Sequence, residues 1–122
     1  MDNRQKGRLG EKKAMTYLIN HGYTIVDINY YCRYGEIDII AKKGGYFVFV
    51  EVKARSSSAY GSPAEAVTFM KQKRVIQSVQ DYVQRNKIEN YPLQLDVIEV
   101  YLLENQATKI NHIKNAFEGF DI

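Results

Sequence analysis

The chain has 122 residues, 45% of them hydrophobic and 25% charged, with a formal net charge of +3. That length is one domain's worth, read as a single domain over 1–122, and the composition is that of a globule with a real core. No apolar run approaches the roughly 20 residues that span a bilayer, so no membrane partner is expected. The opening MDNRQKGRLGEKK lacks a secretory apolar stretch. The lone Cys32 excludes an internal disulfide and paired-thiolate metal binding, so a reducing cytoplasm is the expected location.

A first helix is predicted from about Arg4 to Asn20, with an apolar stripe of Ala14, Met15, Leu18 and Ile19. His21–Gly22 ends it, glycine being suited to a left-handed cap. YTIVDINYY (23–31) is rich in β-branched and aromatic residues and reads as a strand. Residues 36–43 and 46–54 are two more strands around Gly44–Gly45, a strong hairpin signal. SSSAYGSP (56–63) is a polar loop, followed by a helical region from about Ala64 to Lys87 with a break near Thr68. Its stripe is Val75, Ile76, Val79, Tyr82 and Val83. LQLDVIEVYLL (93–103) is a fourth strand and ATKINHI (107–113) a fifth. The order αβββαββ predicts an α/β fold with a mixed central sheet flanked by helices.

Side chains alternate across a strand, so parity assigns faces. Glu36, Asp38 and Ile40 share one face of their strand, and Ile37, Ile39 and Ala41 the other. Phe47, Phe49, Glu51 and Lys53 share a face of the next. A turn centred on Gly44–Gly45 opposes residues whose numbers sum to 89. Asp38 then faces Glu51, and Glu36 faces Lys53 as a cross-strand ion pair. Opposed side chains lie about 4.5–5.5 Å apart at Cβ, where like charges destabilise. Two carboxylates so placed need a shared proton or a cation between them. Oxygen donors suit a hard ion, Mg²⁺ or Mn²⁺, which polarises a phosphate and activates a bound water. Lys53 is placed to steady that water or to neutralise charge building on the phosphate. In the competing reading, Glu36–Lys53 is a surface pair worth about 0–1 kcal/mol, and the acids face solvent. Phe47, Phe49 and Ile40 on the same face favour the covered site.

Glu11 lies at i, i+4, i+7 with Met15 and Leu18, on the apolar stripe. A carboxylate there wants a partner; it is either a boundary residue reaching solvent or a third acid leaning over the pair. The basic run KQKR (71–74) puts Lys71 and Arg74 on one helix face with Lys73 beside them. It is either a solvated face or a phosphate contact. Arg55, one step past Lys53, leaves the strand beside the proposed site and is the better phosphate contact. Asp96, inside an apolar strand, calls for a partner such as a lysine or arginine of the second helix. His21 and His112 share no ligand spacing.

The set Glu11, Asp38 and Glu51-Val52-Lys53 resembles the PD-(D/E)XK nuclease superfamily, with its restriction-endonuclease-like fold and its Holliday junction resolvases. More closely, the chain is similar to the YraN-like bacterial family. RLGEKKA (8–14), GEIDIIA (35–41), FVEVKAR (49–55), GSPAEAV (61–67), LDVIEV (95–100) and INHIKNAF (110–117) carry that likeness over nearly the whole chain. The chain departs from the pattern at Tyr31 and Gln94, where arginines are expected. The resemblance implies Asp38, Glu51 and the Val52 carbonyl as metal ligands and Lys53 as the catalytic lysine; Glu11 and Glu36 are expected to support the shell. It also implies a homodimer. The expected function is a Mg²⁺- or Mn²⁺-dependent endonuclease cutting DNA at branched or irregular structures. The alternatives are a nucleic-acid-binding module that cleaves nothing, or an assembly protein with a structural metal.

Overall fold

Asp2 starts the first helix by a reciprocal cap: its carboxylate accepts from the Gln5 N–H at 2.8 Å, and the Gln5 side chain accepts from the Asp2 N–H at 3.0 Å. The resulting helix α1 spans Asn3–Asn20. It ends at His21, followed by Gly22 at φ 88°, and Lys43 Nζ donates to the His21 carbonyl at 2.8 Å. This computed structural model describes residues 1–56, 69–103 and 108–117. The predicted loop beyond Ser56, the helix start at 64–68 and residue 107 lie outside the described residues.

Strands β1 (Thr24–Cys32), β2 (Gly35–Lys43), β3 (Tyr46–Arg55), β4 (Leu93–Tyr101) and β5 (Lys109–Ile113) form one sheet in that order, with helix α2 (Phe69–Asn86) between β3 and β4. The β3–β4 pair is parallel and the other three are antiparallel, so the sheet is mixed. The fold is α/β in the order αβββαββ, as the sequence predicts. Among the described residues, no helix is long and apolar enough to cross a membrane.

Each helix covers one face. Ala14 and Leu18 of α1 pack on Ile39, Ala41, Val48, Val50, Ile98 and Val100. Val75, Val79, Tyr82 and Val83 of α2 pack on Ile37, Ile40, Phe47, Phe49, Leu95 and Val97. Within α1, Ile19 departs from the predicted stripe: it is 57% exposed, and Gly10, Ala14 and Leu18 make the buried line instead. Gly10 sets how closely α1 approaches β3, since a Cβ there would lie 2.9 Å from Ala54 Cβ. Helix propensity alone would favour a larger residue by about 1 kcal/mol, but the steric conflict is larger. We therefore expect Gly10→Val to lower stability by about 2 kcal/mol in urea unfolding, because overpacking pushes the helix off the sheet.

The Gly44–Gly45 turn has both φ angles positive, 57° and 82°, as a type I′ hairpin requires. The β2–β3 register runs from Lys43↔Tyr46 to Ile39↔Val50, every pair summing to 89. The ladder stops there. On its other side β2 pairs Ile28↔Ile39 and then Tyr30↔Ile37 with β1, passing over Asn29 and Asp38. Asn29 sits at φ 50°. The register is the same on both sides of that gap, yet strict alternation fails. Ile37 joins Ile40 on the α2 side, rather than Ile39 and Ala41 on the α1 side as parity predicts.

Candidate active site

The end of the β2–β3 ladder determines what surrounds Asp38. Its Oδ2 accepts the Val52 N–H at 2.8 Å, a donor that the extrapolated ladder would have turned toward Ile37. A carboxylate thus replaces a backbone carbonyl where β2 and β3 part. Glu51 precedes Val52 on β3. Asp38 and Glu51 are only 7% and 6% exposed.

Burial pushes the Asp38 carboxyl up from 3.8 to about 8, with Glu51 adding to the shift; the Val52 N–H opposes it, and Glu11 and Glu36 reinforce it. Glu11, reaching over from α1, is also raised, first by burial and then by Glu36. Hydrogen bonding to Asn29 opposes that rise, Glu51 adds to it, and Arg8 opposes it. Glu11, Glu36 and Glu51 therefore share one electrostatic environment with Asp38, whose carboxyl is pushed toward its neutral form.

A carboxyl that holds its proton more tightly folded than unfolded lends stability that is complete below its unfolded value of 3.8. That stability is lost as pH climbs through about 8. In EDTA, the melting temperature should fall by at least about 5 °C between pH 6 and pH 9. Asp38→Asn should flatten that slope; a flat wild-type curve would mean the acids are not strained.

Cations answer Glu51 from two sides. Lys71 Nζ of α2 stands 3.1 Å from Glu51 Oε1, and Lys53 Nζ stands 3.5 Å from the same oxygen. The predicted Glu36–Lys53 pair is replaced by Lys53–Glu51, and Glu36 instead accepts a hydrogen bond from the Tyr31 hydroxyl. The reason is that Lys53 lies past the point where the strands separate, so nothing holds it opposite Glu36. A cavity of about 480 Å³ opens over this group, lined by Arg33, Glu36, Asp38, Glu51, Lys71 and Arg74 among others. Arg33, in the turn between β1 and β2, is a lining cation that sequence reasoning passed over; only its place between two short strands hinted at it.

Not every predicted phosphate contact reaches the cavity. Lys73 is exposed and does not line it. The Arg55 Nε donates to Glu99 Oε2 at 3.3 Å. Glu99, unmentioned in the sequence reading, is 0% exposed and also accepts from Tyr101 Oη at 2.8 Å and Asn111 Nδ2 at 3.1 Å. Asp96 is held by β5 and its own strand, not by α2. Its Oδ2 lies 2.7 Å from His112 Nε2, and Gln94 Nε2 and the Asn115 N–H donate to Oδ1. The register of β5 is set by its pairing with β4, which no short-range sequence pattern encodes, so the sequence alone does not point to His112. Tyr30 belongs to the core: it donates to Asp81 and packs edge-on against Tyr82.

The donors suit a hard cation. Two buried carboxylates, one with raised proton affinity, would be relieved by a divalent ion. A strand residue's carbonyl faces the same neighbour as its N–H, which puts the Val52 carbonyl toward the same gap. Among the described residues, no group of three His, Cys, Asp or Glu side chains is arranged to hold an ion by itself. Glu11 and Glu36 thus act on the pair by charge rather than as ligands in this arrangement. An ion here would take Asp38, Glu51 and the Val52 carbonyl and complete its shell with water or phosphate oxygens, the habit of Mg²⁺.

Residues 10–100, which include all of these acids and lysines, match the uncharacterised protein family UPF0102. A UPF0102 protein of Clostridioides difficile (strain 630) is 49% identical over 117 residues, covering 96% of this chain and 100% of its own. Another, of Caldicellulosiruptor saccharolyticus, is 46% identical over 118 residues, with 96% and 100% covered. One of Alkaliphilus oremlandii is 50% identical over 117 residues, with 94% and 99% covered. With matches of this extent, the chain belongs to the UPF0102 family, the YraN-like group that its sequence resembles.

Proposed function

We propose that the protein is a Mg²⁺- or Mn²⁺-dependent endonuclease that hydrolyses phosphodiester bonds in DNA. The observation that carries this reading is the pair Asp38 and Glu51, buried together where β2 and β3 part, with the Lys53 ammonium 3.5 Å from Glu51. A divalent ion held there would polarise the phosphate and lower the pKa of a bound water. Asp38 and Glu51 hold that charge in place, while Glu11 and Glu36 keep the surroundings negative enough to favour it. Lys53 presents its N–H donors to the attacking water or to a phosphate oxygen. Lys71 and Arg74 line the cavity into which a phosphate would enter. A domain of 122 residues offers little surface for reading bases, so branched or irregular DNA is the favoured substrate. A homodimer would set two such sites side by side. The single thiol suits the reducing cytoplasm.

One observation favours a second reading, a nucleic-acid-binding module without cleavage. Two of the predicted phosphate contacts, Lys71 and Arg55, are engaged by the protein's own carboxylates. The discriminating experiment incubates linear, flapped and four-way DNA with wild type, Asp38→Asn and Lys53→Ala in Mn²⁺. Cleavage by wild type alone upholds the endonuclease. Equal cleavage by all three would trace the activity to a contaminant, and a salt-sensitive gel shift without cleavage would select the binding module.

A further inference from the structure

We propose that Arg4, Arg8 and Lys12 on the outer flank of α1 form a basic ridge that grips the sugar–phosphate backbone of duplex DNA as it runs onto the acidic site. The inference rests on the DNA reading above and adds a binding surface to it. That surface lies on the α1 side, opposite the α2 side from which Arg74 lines the cavity. The three residues stand at i, i+4 and i+8, so they share one helix face. At 1.5 Å per residue the ridge is about 12 Å long. One strand of a duplex presents about three or four phosphates over that length, at about 3.4 Å each. All three side chains are exposed, and among the described residues none of them forms a salt bridge.

Two contacts fix where the ridge lies. Tyr17 Oη meets His112 Nδ1 of β5 at 3.1 Å, so that flank of α1 faces β5. Glu11 reaches the other way, hydrogen-bonding Asn29 of β1 and feeling the charges of Glu36 and Glu51. At about 100° per residue, Arg4, Arg8 and Lys12 fall roughly 20° to 100° beyond Glu11, on the side away from Tyr17. The buried line of Gly10, Ala14 and Leu18 holds this orientation against the sheet. The ridge therefore overhangs the β1–β2 side, next to the acids, and Arg8 is near enough for its charge to act on Glu11. The fold alone does not favour these cations. Like charges four residues apart on a helix repel. Cations near a helix N-terminus also oppose the positive end of its dipole, where acids would stabilise; the first turn of α1 holds Arg4 and no acid. The ridge thus costs the free helix stability, a cost that a polyanion laid along it offsets.

Charge-matched variants test the ridge. Anisotropy of a labelled duplex, in Ca²⁺ and in EDTA, compares wild type with the triple change Arg4→Gln, Arg8→Gln and Lys12→Gln. The control carries Lys13→Gln, Lys87→Gln and Lys114→Gln, exposed cations elsewhere on the protein. The ridge variant should bind about tenfold or more weakly near physiological salt, and its plot of log affinity against log salt should flatten by about 2–3. The control should stay within about threefold of wild type. Urea unfolding should show the ridge variant at least as stable as wild type, because repulsion along α1 is gone. A selective DNA defect in a stable protein upholds the ridge, whether or not wild type cleaves in Mn²⁺, so the ridge can stand where the endonuclease reading fails. No defect, or equal defects in the two variants, would overturn the ridge and leave the acidic site and its cleavage standing. A less stable ridge variant would also overturn it, by assigning the three cations to the fold. If wild type binds no duplex in either condition, the ridge and the DNA reading fall together.

Discussion

Replacing Asp38 by asparagine is expected to abolish DNA cleavage and, at the same time, to stabilise the metal-free protein. The two effects share one cause. Asp38 is buried beside Glu51 with its carboxyl pushed up to about 8, so near neutral pH it must either take up a proton or stay ionised against both desolvation and a like charge. Asparagine keeps the shape and an oxygen for the Val52 N–H but carries no charge. Relief of that strain should raise stability by about 1–2 kcal/mol at pH 8, the gain commonly found when a strained functional site is neutralised. The same change removes half the charge that holds the ion. Loss of metal-assisted phosphate activation is worth several kcal/mol, so cleavage should fall at least about a thousandfold. Urea unfolding and single-turnover cleavage check the two halves. A variant both less stable and fully active would show Asp38 to be an ordinary structural carboxylate.

How much of this was legible in the sequence depends on the range of the interaction. The Gly44–Gly45 turn fixes a register locally, and the observed pairs sum to 89 as that turn requires. It therefore placed Asp38 and Glu51 together from two short strands alone. Parity failed one residue away, at Ile37, beside the point where the β2–β3 ladder stops and the β1 pairing passes over Asn29 at φ 50°, neither of which the hairpin alone reveals. The helix faces were readable from the spacing of Val75, Val79, Tyr82 and Val83. Which strand residue each helix charge would meet was not. Lys71 was visible as a basic residue and hidden as the partner of Glu51. Asp96 was recognised as needing a partner, yet His112 reaches it through β4–β5 pairing that no short-range pattern encodes. Glu99 passed unnoticed inside LDVIEV because, among apolar neighbours on a central strand, one acid looks like another until its partners are known.

That overlooked acid carries the second large effect. Arg55→Ala should destabilise the fold by about 3 kcal/mol, since it leaves a fully buried carboxylate without its cation. The value is set at the low end of the range for broken buried pairs because Arg55 itself is 30% exposed and Tyr101 and Asn111 still donate to Glu99. Adding Glu99→Gln should restore most of the loss, because the double change removes both charges together. The coupling between the two positions should be at least about 1 kcal/mol in a double-mutant cycle by urea unfolding. A cost below about 0.5 kcal/mol for Arg55→Ala would show the neutral donors to be sufficient. It would also leave Arg55 available as the phosphate contact that its position beyond Lys53 first indicated.

The account turns on whether Asp38 and Glu51 gather a divalent ion. Crystals grown or soaked in Mn²⁺, with anomalous scattering collected at the manganese edge, answer this most directly. The expected map has one strong peak in the gap between β2 and β3, about 2.0–2.3 Å from an oxygen of each carboxylate. A clean map at saturating Mn²⁺, or a peak that touches neither Asp38 nor Glu51, would contradict it.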